Sequence, residues 1–545
     1  MREAAAAPSV APVSGAACLV FTPARASSSL VIWCAVLVTA ALIVLRSFVF
    51  LHYEQADFDA DQAIVGLMAT HLSEGRAWPL FFYGQLYMMG VQAWMAALVF
   101  LVSGPSVFAL KLPLLILNVA TGGLLVWLLV REAGLRAWQA TVATSWFAVL
   151  PPVTASRMVQ AQGGTIEPLL YALLLWLLRR RAVAFGLLFA FGFLQREFTL
   201  FAVVAIVAIE AWTGELWSRR RAAHWCVVLL VFLGARQEVT LLRHTASMFG
   251  PDAAPPRLED GVTNVDLVAR SVCVAPGHVV GNLGWLAAHN VPTFFGVQTL
   301  APGQLILSAR PTGAPWAAIP AAGAVVLALG LVWQRRRALS SWWPPSDDRV
   351  LLPTMLVVTG LCGLGGVATG CDIRMLVTLR YHLLLALAPV GLTALAFVVC
   401  QETDPPARGA SGAAPPACWR LGPQVMGAAV VVWAGAMGWS HLRLLHEYRT
   451  DPPPSAYRQL ADDLVAHGDR YGWASYWVSY HVDFLSRERV QLSPTSAIRI
   501  AEYSRQALRA GPSAVIVGTE PCAPGDDARQ VAVWWVCRST PNAER

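Results

Sequence analysis

Apolar runs separated by short polar breaks dominate the chain, and their spacing predicts membrane-crossing helices. Residues 30–51 are long enough to cross a bilayer. The Ala/Pro/Ser-rich stretch before them, residues 1–28, reads as a disordered cytoplasmic tail. The run lacks a small-residue cleavage site before His52, so it is expected to stay as an anchor and not to be removed as a signal peptide. The next apolar run, residues 86–102, decides the topology. If it crossed, the later arginine clusters would lie outside. If it lies in the interface, Arg131, Arg136 and the triplets Arg179 to Arg181, Arg219 to Arg221 and Arg335 to Arg337 all fall inside, as the excess of cytoplasmic Lys and Arg in membrane proteins favours.

Alternation then places the remaining spans at 106–130, 138–153, 166–178, 182–194, 198–212, 223–234, 316–333, 350–370, 381–400 and 422–439. The expected architecture is a polytopic α-helical membrane protein of about eleven crossings over residues 29–440. Its outer loops are 52–105, 154–165, 237–315 and 370–381, and a cytoplasmic linker occupies 404–416. Residues 441–545 are polar enough for a small extracytoplasmic α/β domain. In it, Ser455 caps a predicted helix with Tyr457, Leu460 and Leu464 on one face and Gly468 at its end. Residues 513–517 and, more weakly, 489–492 read as strands.

Composition agrees with this class. The chain is 56% hydrophobic and only 13% charged, far less charge than a soluble protein of 545 residues carries. The net charge of +7 comes mainly from the arginine clusters, which read as topology determinants and contacts to anionic lipids; nucleic acid is not an expected partner. The ten cysteines form no CxxC pair and no zinc-site spacing, and Cys34, Cys226 and Cys362 sit inside apolar runs. Cys522 and Cys537 can pair if the C-terminal part is extracytoplasmic.

Candidate chemistry gathers on the outer face. The first loop supplies Asp57, Asp59 and Asp61, just ahead of a segment whose Ile64, Leu67, Met68 and Leu72 share a helical face. That helix is expected to lie along the bilayer surface. Carboxylates clustered beside a bilayer usually mark a site; the competing reading is that Asp57 or Asp59 only caps the helix and Asp61 complements its dipole. The second loop adds Arg157 and Glu167, the third Arg196 and Glu197, and the loop before Tyr381 adds Arg374 and Arg380. Acids among arginines suit a reaction in which a base activates an acceptor while cations hold an anionic leaving group, for which a lipid phosphate is the obvious anion. The alternatives are interfacial snorkelling for Arg374 and Arg380 and dipole complementation for Glu167. Trp473, Tyr476, Trp477 and Tyr480 could stack on a sugar, although a packed core explains such density more often.

These residues also carry a resemblance. DADQAIVGLMATHLSEGRAWPLFFYGQLYMMG from Asp59, and ALKLP from Ala109, resemble bacterial membrane glycosyltransferases of the GT-C superfamily related to dolichyl-phosphate-mannose protein mannosyltransferases. Further similarity lies in QGGTIEPLL around Glu167, QREF from Gln195, LRYHLL around Arg380 and RYGWASYWVSYHVDFLSRERV from Arg470. The resemblance implies transfer of a sugar from a polyprenyl-phosphate donor, with inversion, to a lipid, glycan or protein acceptor at the outer face of the inner membrane. It implies Asp59 or Asp61 as the base, Arg380 steadying the leaving phosphate, and Arg374 and Arg157 beside it. One departure stands out: relatives have Asp-Glu-Ala where this chain has Asp61-Gln62-Ala63. That removes an acid from any site for a divalent cation such as Mg or Mn, so no cofactor is required by the residues and a cation stays open. The rival class is a transporter of lipid-linked sugars, which should carry ionisable groups deep in several spans; no internal repeat is evident to support it.

Overall fold

The computed structural model describes residues 28–245, 264–299, 312–313, 315–338, 347–371, 373–401 and 417–538. The expected tail and linker, and much of the 237–315 loop, lie outside these. The first apolar run forms α1 (Ser29–His52), and the acidic loop leads into α2 (Ala60–Ser73). A hairpin of β1 (Phe81–Phe82) and β2 (Gln85–Met89) turns at Gly84, whose φ of +71° favours glycine, and delivers α3 (Val91–Ser103). Then come α4 (Val107–Arg131), α5 (Ala137–Ala148), α6 (Pro152–Arg157), α7 (Glu167–Leu178), α8 (Ala182–Gln195), α9 (Thr199–Thr213) and α10 (Arg219–Thr245). Beyond them lie α11 (Asn264–Ser271), α12 (Pro276–Trp285), α13 (Val291–Phe294) and the pair β3 (Gln298–Thr299) and β4 (Thr312–Gly313). The bundle is completed by α14 (Pro315–Ala338), α15 (Leu351–Ala368), α16 (Leu387–Gln401) and α17 (Ala417–Thr450).

Among the described residues, seven helical stretches are long and apolar enough to cross a membrane: α1, α4, α10, α14, α15, the one that ends as α16, and α17. The other four expected crossings fold as α5, α7, α8 and α9, of 12 to 15 residues each. At about 1.5 Å per residue these fall short of a hydrocarbon core of about 30 Å. Irregular chain makes up part of the difference. Residues 158–166, between α6 and α7, are buried throughout, which is the condition under which non-helical backbone is tolerated at membrane depth. Within the bundle, Arg46 of α1 is fully buried: its two terminal nitrogens donate to the Phe147 carbonyl and to Asn118 Oδ1 (2.5 Å), tying α1 to α4 and α5.

Helix α17 runs on to Thr450, past the expected boundary at residue 440. The C-terminal unit follows as α18 (Ala456–Ala466), β5 (Tyr471–Ala474), α19 (Tyr476–Leu485), β6 (Gln491–Pro494), α20 (Ala501–Ala510), β7 (Val515–Gly518), β8 (Asp527–Val531) and β9 (Trp534–Arg538). Ser455 caps α18 through the Arg458 amide (3.2 Å), and Leu460 and Leu464 point into the core. The sheet order is β6-β5-β7-β9-β8, with β5 parallel to β6 and β7, and β9 antiparallel to β7 and β8. A disulfide joins Cys522 and Cys537; another, between Cys273 and Cys371, ties the segment before α12 to the chain after α15.

The C-terminal unit covers α2, which overturns one expectation. Residues 60 and 62–71 of α2 are all buried, so this helix does not expose one face to lipid. Helix α3 packs on one side and α19 on the other. Gly66 makes the second contact possible, since a Cβ there would stand 2.4 Å from the Phe484 ring. At the far end of α2, fully buried His71 places Nδ1 3.0 Å from the Tyr83 hydroxyl and Nε2 2.9 Å from Glu488. Arg76 and Tyr503 (2.6 Å) donate to the same carboxylate.

Burial alone would raise the Glu488 carboxyl, but the bonds and charges of His71, Arg76 and Tyr503 outweigh it and hold it at about 2, below the ordinary 4.5. A depressed folded-state value means the stabilisation is present above pH 4.5 and is lost as pH falls towards 2; its size is on the order of 3 kcal/mol. Melting of the purified protein should therefore weaken across that window. Glu488→Gln should melt lower at neutral pH and lose most of the acid step; an unchanged acid step would remove this cluster as its origin.

Candidate active site

The acidic loop lies between the end of α1, the start of α4 and the buried 158–166 segment. Lys111, fully buried near the start of α4, donates to the Phe50 carbonyl (3.0 Å) and to the Asp57 carbonyl. It thereby serves one of the carbonyls left open at the end of α1 and pins the loop. Asp57 Oδ1 accepts from Gln160 Nε2 (2.9 Å) and lies 3.5 Å from Arg157 Nη1. Asp59 is the N-cap of α2: Oδ1 accepts from the Gln62 amide (3.0 Å), and Oδ2 accepts from Gln162 Nε2 (2.5 Å).

Asp61, in the first turn of α2, is held differently. Its Oδ1 accepts from the Tyr476 hydroxyl of α19 (2.7 Å), and its Oδ2 lies 3.7 Å from Arg380 Nη1. Both side chains of that ion pair remain 25% exposed. Arg380 donates through Nη1 to Gln162 Oε1 (2.8 Å) and through Nη2 to the Tyr381 hydroxyl (2.9 Å), with its guanidinium 5.0 Å from the Tyr381 ring centroid. Gln162 therefore bridges Asp59 and Arg380. Its reach depends on the glycines after it: Gly163 and Gly164 have φ of +81° and +125°, and a Cβ on Gly164 would stand 2.8 Å from Arg196.

The other expected residues divide. Glu167 is buried and faces its own helix start, accepting from the Thr165 amide (2.8 Å) and Gln195 Nε2 (3.1 Å). Arg196 lies 5.8 Å from the Phe198 ring and 6.0 Å from the Tyr381 ring, so it lines the neighbourhood of Arg380 without touching an acid. The Glu197 carboxylate makes no hydrogen bond or ion pair among the described residues. Arg374 donates to Asn282 Oδ1 of α12 (3.1 Å), beside the Cys273–Cys371 disulfide. Arg380 and Arg157 are thus brought to the acids, and Arg374 is directed elsewhere.

Two residues escaped the sequence reading, and a third was named without its role. Lys111 sits in ALKLP and Gln162 in QGGTIEPLL, where a motif marked the stretch but nothing singled out the side chain. Tyr476 was one aromatic among four, of which Tyr480 is buried and accepts from the amides of Arg499 (2.5 Å) and Ile500 (3.3 Å), while Trp477 is half exposed.

Among the described residues no three His, Cys, Asp or Glu side chains converge on one point. Gln62, at the position of the family's second acid, turns inward: Nε2 donates to the Asp57 carbonyl (3.3 Å) and Oε1 accepts from the Ala161 amide (3.4 Å). Asp59 and Asp61 face protein donors of their own, whereas Asp57 Oδ2 is buried without a hydrogen-bond partner among the described residues.

Burial, then the charges of Asp61 and Asp57, push the Asp59 carboxyl up to about 6 from its ordinary 3.8. With a raised folded-state value, the stabilisation belongs to the protonated form: it is full below 3.8 and lost as pH rises through 6. Asparagine caps helices as well as aspartate does. Asp59→Asn should then fold, melt no lower than the parent above pH 6, and flatten the change in melting temperature between pH 4 and 7. A variant that melts much lower would show that the charge itself holds the loop.

The arrangement offers one carboxylate oxygen and one guanidinium side by side, both reachable from outside the fold: a proton acceptor next to an anion binder. The sequence matches no protein-family model and no curated protein. Among solved structures, the chain is similar to ArnT from Cupriavidus metallidurans in the apo state, with a TM-score of 0.55 at 13% identity over 93% of this chain and 97% of that one. It is likewise similar to the same protein bound to undecaprenyl phosphate, with a TM-score of 0.54 at 13% identity over 93% and 98%. At this identity the likeness is one of fold: over 93% of its length the chain shares the fold of ArnT.

Proposed function

We propose that the chain is a membrane glycosyltransferase that moves a sugar, hexose or pentose, from a polyprenyl phosphate to an acceptor hydroxyl. The observation that carries this reading is the Asp61–Arg380 pair, part-exposed at 3.7 Å, in a chain with the fold of a protein solved with undecaprenyl phosphate. Asp61 is the base. Its Oδ2 takes the proton of the acceptor hydroxyl as the acceptor oxygen bonds to the anomeric carbon. The bond from that carbon to the phosphate oxygen breaks on the opposite face, with inversion, and its electron pair leaves with the phosphate. Arg380 holds the leaving phosphate and is preorganised for its growing charge by Gln162 and Tyr381. Asp59 holds the loop as helix cap, and Arg157 keeps Asp57 in place. No step is routed through a metal ion.

The site is assigned to the outer face of the inner membrane, with residues 441–545 as an extracytoplasmic domain. Two disulfides support this, since such bonds persist in oxidising compartments. All four of their cysteines fall on segments expected outside, whereas Cys34, Cys226 and Cys362 lie in the apolar helices and form no disulfide. Mass spectrometry of lipid-linked sugars and envelope glycans in cells lacking the protein tests the reading. One polyprenyl-phosphate sugar should accumulate and one glycosylated product disappear; unchanged profiles would count against it.

A further inference from the structure

Asp61 and Arg380 approach without closing. A carboxylate and an arginine favour a bidentate pair with N–H···O distances of about 2.7–2.9 Å, and here the nearest approach is 3.7 Å. Closure would mask both groups at once, the acid as base and the guanidinium as phosphate ligand. Tyr476 is placed to prevent it, because its hydroxyl engages Asp61 Oδ1, the oxygen a fork-to-fork pair would need.

Tyr476 is itself fixed from several sides. It opens α19, and its ring meets Tyr480 edge-on at 5.3 Å. The Tyr480 hydroxyl accepts from the Arg499 amide, and Arg499 Nη1 donates back to the Gly84 carbonyl in the β1–β2 turn (2.9 Å). Helix α19 is locked onto α2 by Phe484 over Gly66 and by the Phe58 ring against His481 (4.8 Å) and Phe484 (5.5 Å). The hydroxyl is therefore delivered to Asp61 by a rigid neighbour, some 415 residues away in sequence.

We infer that Tyr476, supplied by the C-terminal domain, is a positioning residue that holds the Asp61–Arg380 pair open for the lipid phosphate. This rests on the roles proposed above for those two residues. The domain thus completes the active site.

Binding of undecaprenyl phosphate to the purified full-length protein tests it without knowledge of the sugar. Tyr476→Phe keeps the ring and loses the hydroxyl; the freed carboxylate closes on Arg380, and binding should weaken about tenfold. Asp61→Asn cannot form the closed pair, so it should bind at least as tightly as the parent, and adding Tyr476→Phe to it should cost nothing further. A merely structural role would weaken binding in both backgrounds. Should Y476F not fold, Y476M, smaller and without a hydroxyl, carries the same expectations. Parent-like binding by the single Tyr476 variant, or equal weakening in both backgrounds, overturns the inference and leaves the proposed function standing. No binding by the parent protein overturns both.

Discussion

Asp61→Asn is expected to lower sugar transfer by about 10²- to 10⁴-fold while the protein folds and still binds undecaprenyl phosphate. The magnitude is that of a lost general base. Folding should survive because Asp61 keeps 25% of its side-chain surface, so an amide there is not a buried group stripped of its partners, and it can still accept from Tyr476. Loss of rate without loss of phosphate binding identifies an interaction made mainly in the transition state. Initial rates and undecaprenyl phosphate affinity on the same preparation decide it. Near-parent turnover would remove the base from this position.

Arg380→Ala should fail differently, losing both affinity and rate. Its proposed partner is a phosphate already charged in the ground state and more so when the sugar leaves, so undecaprenyl phosphate should bind roughly 10- to 100-fold more weakly and kcat should fall as well. Arg380→Lys should recover little, because a lysine cannot donate to Gln162 and Tyr381 from one planar group and still face a phosphate. Selective loss of kcat with unchanged affinity would assign the phosphate to another cation, Arg157 or Arg196 being the neighbours at hand.

How much of this could be read beforehand depends on the range of each interaction. Every apolar run expected to cross became a helix, because run length and a polar break are properties of a few consecutive residues. The N-cap role of Asp59 was visible as one of two readings; the cap bond to the Gln62 amide makes it one of the group's tasks. Contacts made across the chain were not visible. Helix α2 reads as a surface helix because its own pattern is amphipathic, whereas the cover on its other face comes from α19, which no local pattern announces. Tyr476 on Asp61 and Glu488 on His71 are of the same kind. So is the Cys273–Cys371 bridge, whose halves are 98 residues apart. Gln162 was hidden for another reason: an uncharged amide gives no signal of its role until Asp59 and Arg380 are seen at its two ends.

The central claim is that the sugar–phosphate bond is broken here. The direct measurement is reconstitution of the purified protein in liposomes with polyprenyl-phosphate sugars and envelope acceptor material, both extracted from native membranes, following both the bond and the leaflet. The account predicts release of free polyprenyl phosphate by the parent protein and almost none by Asp61→Asn. Intact lipid-linked sugar appearing in the opposite leaflet with no phosphate released, in parent and variant alike, would contradict it and leave a transporter in its place.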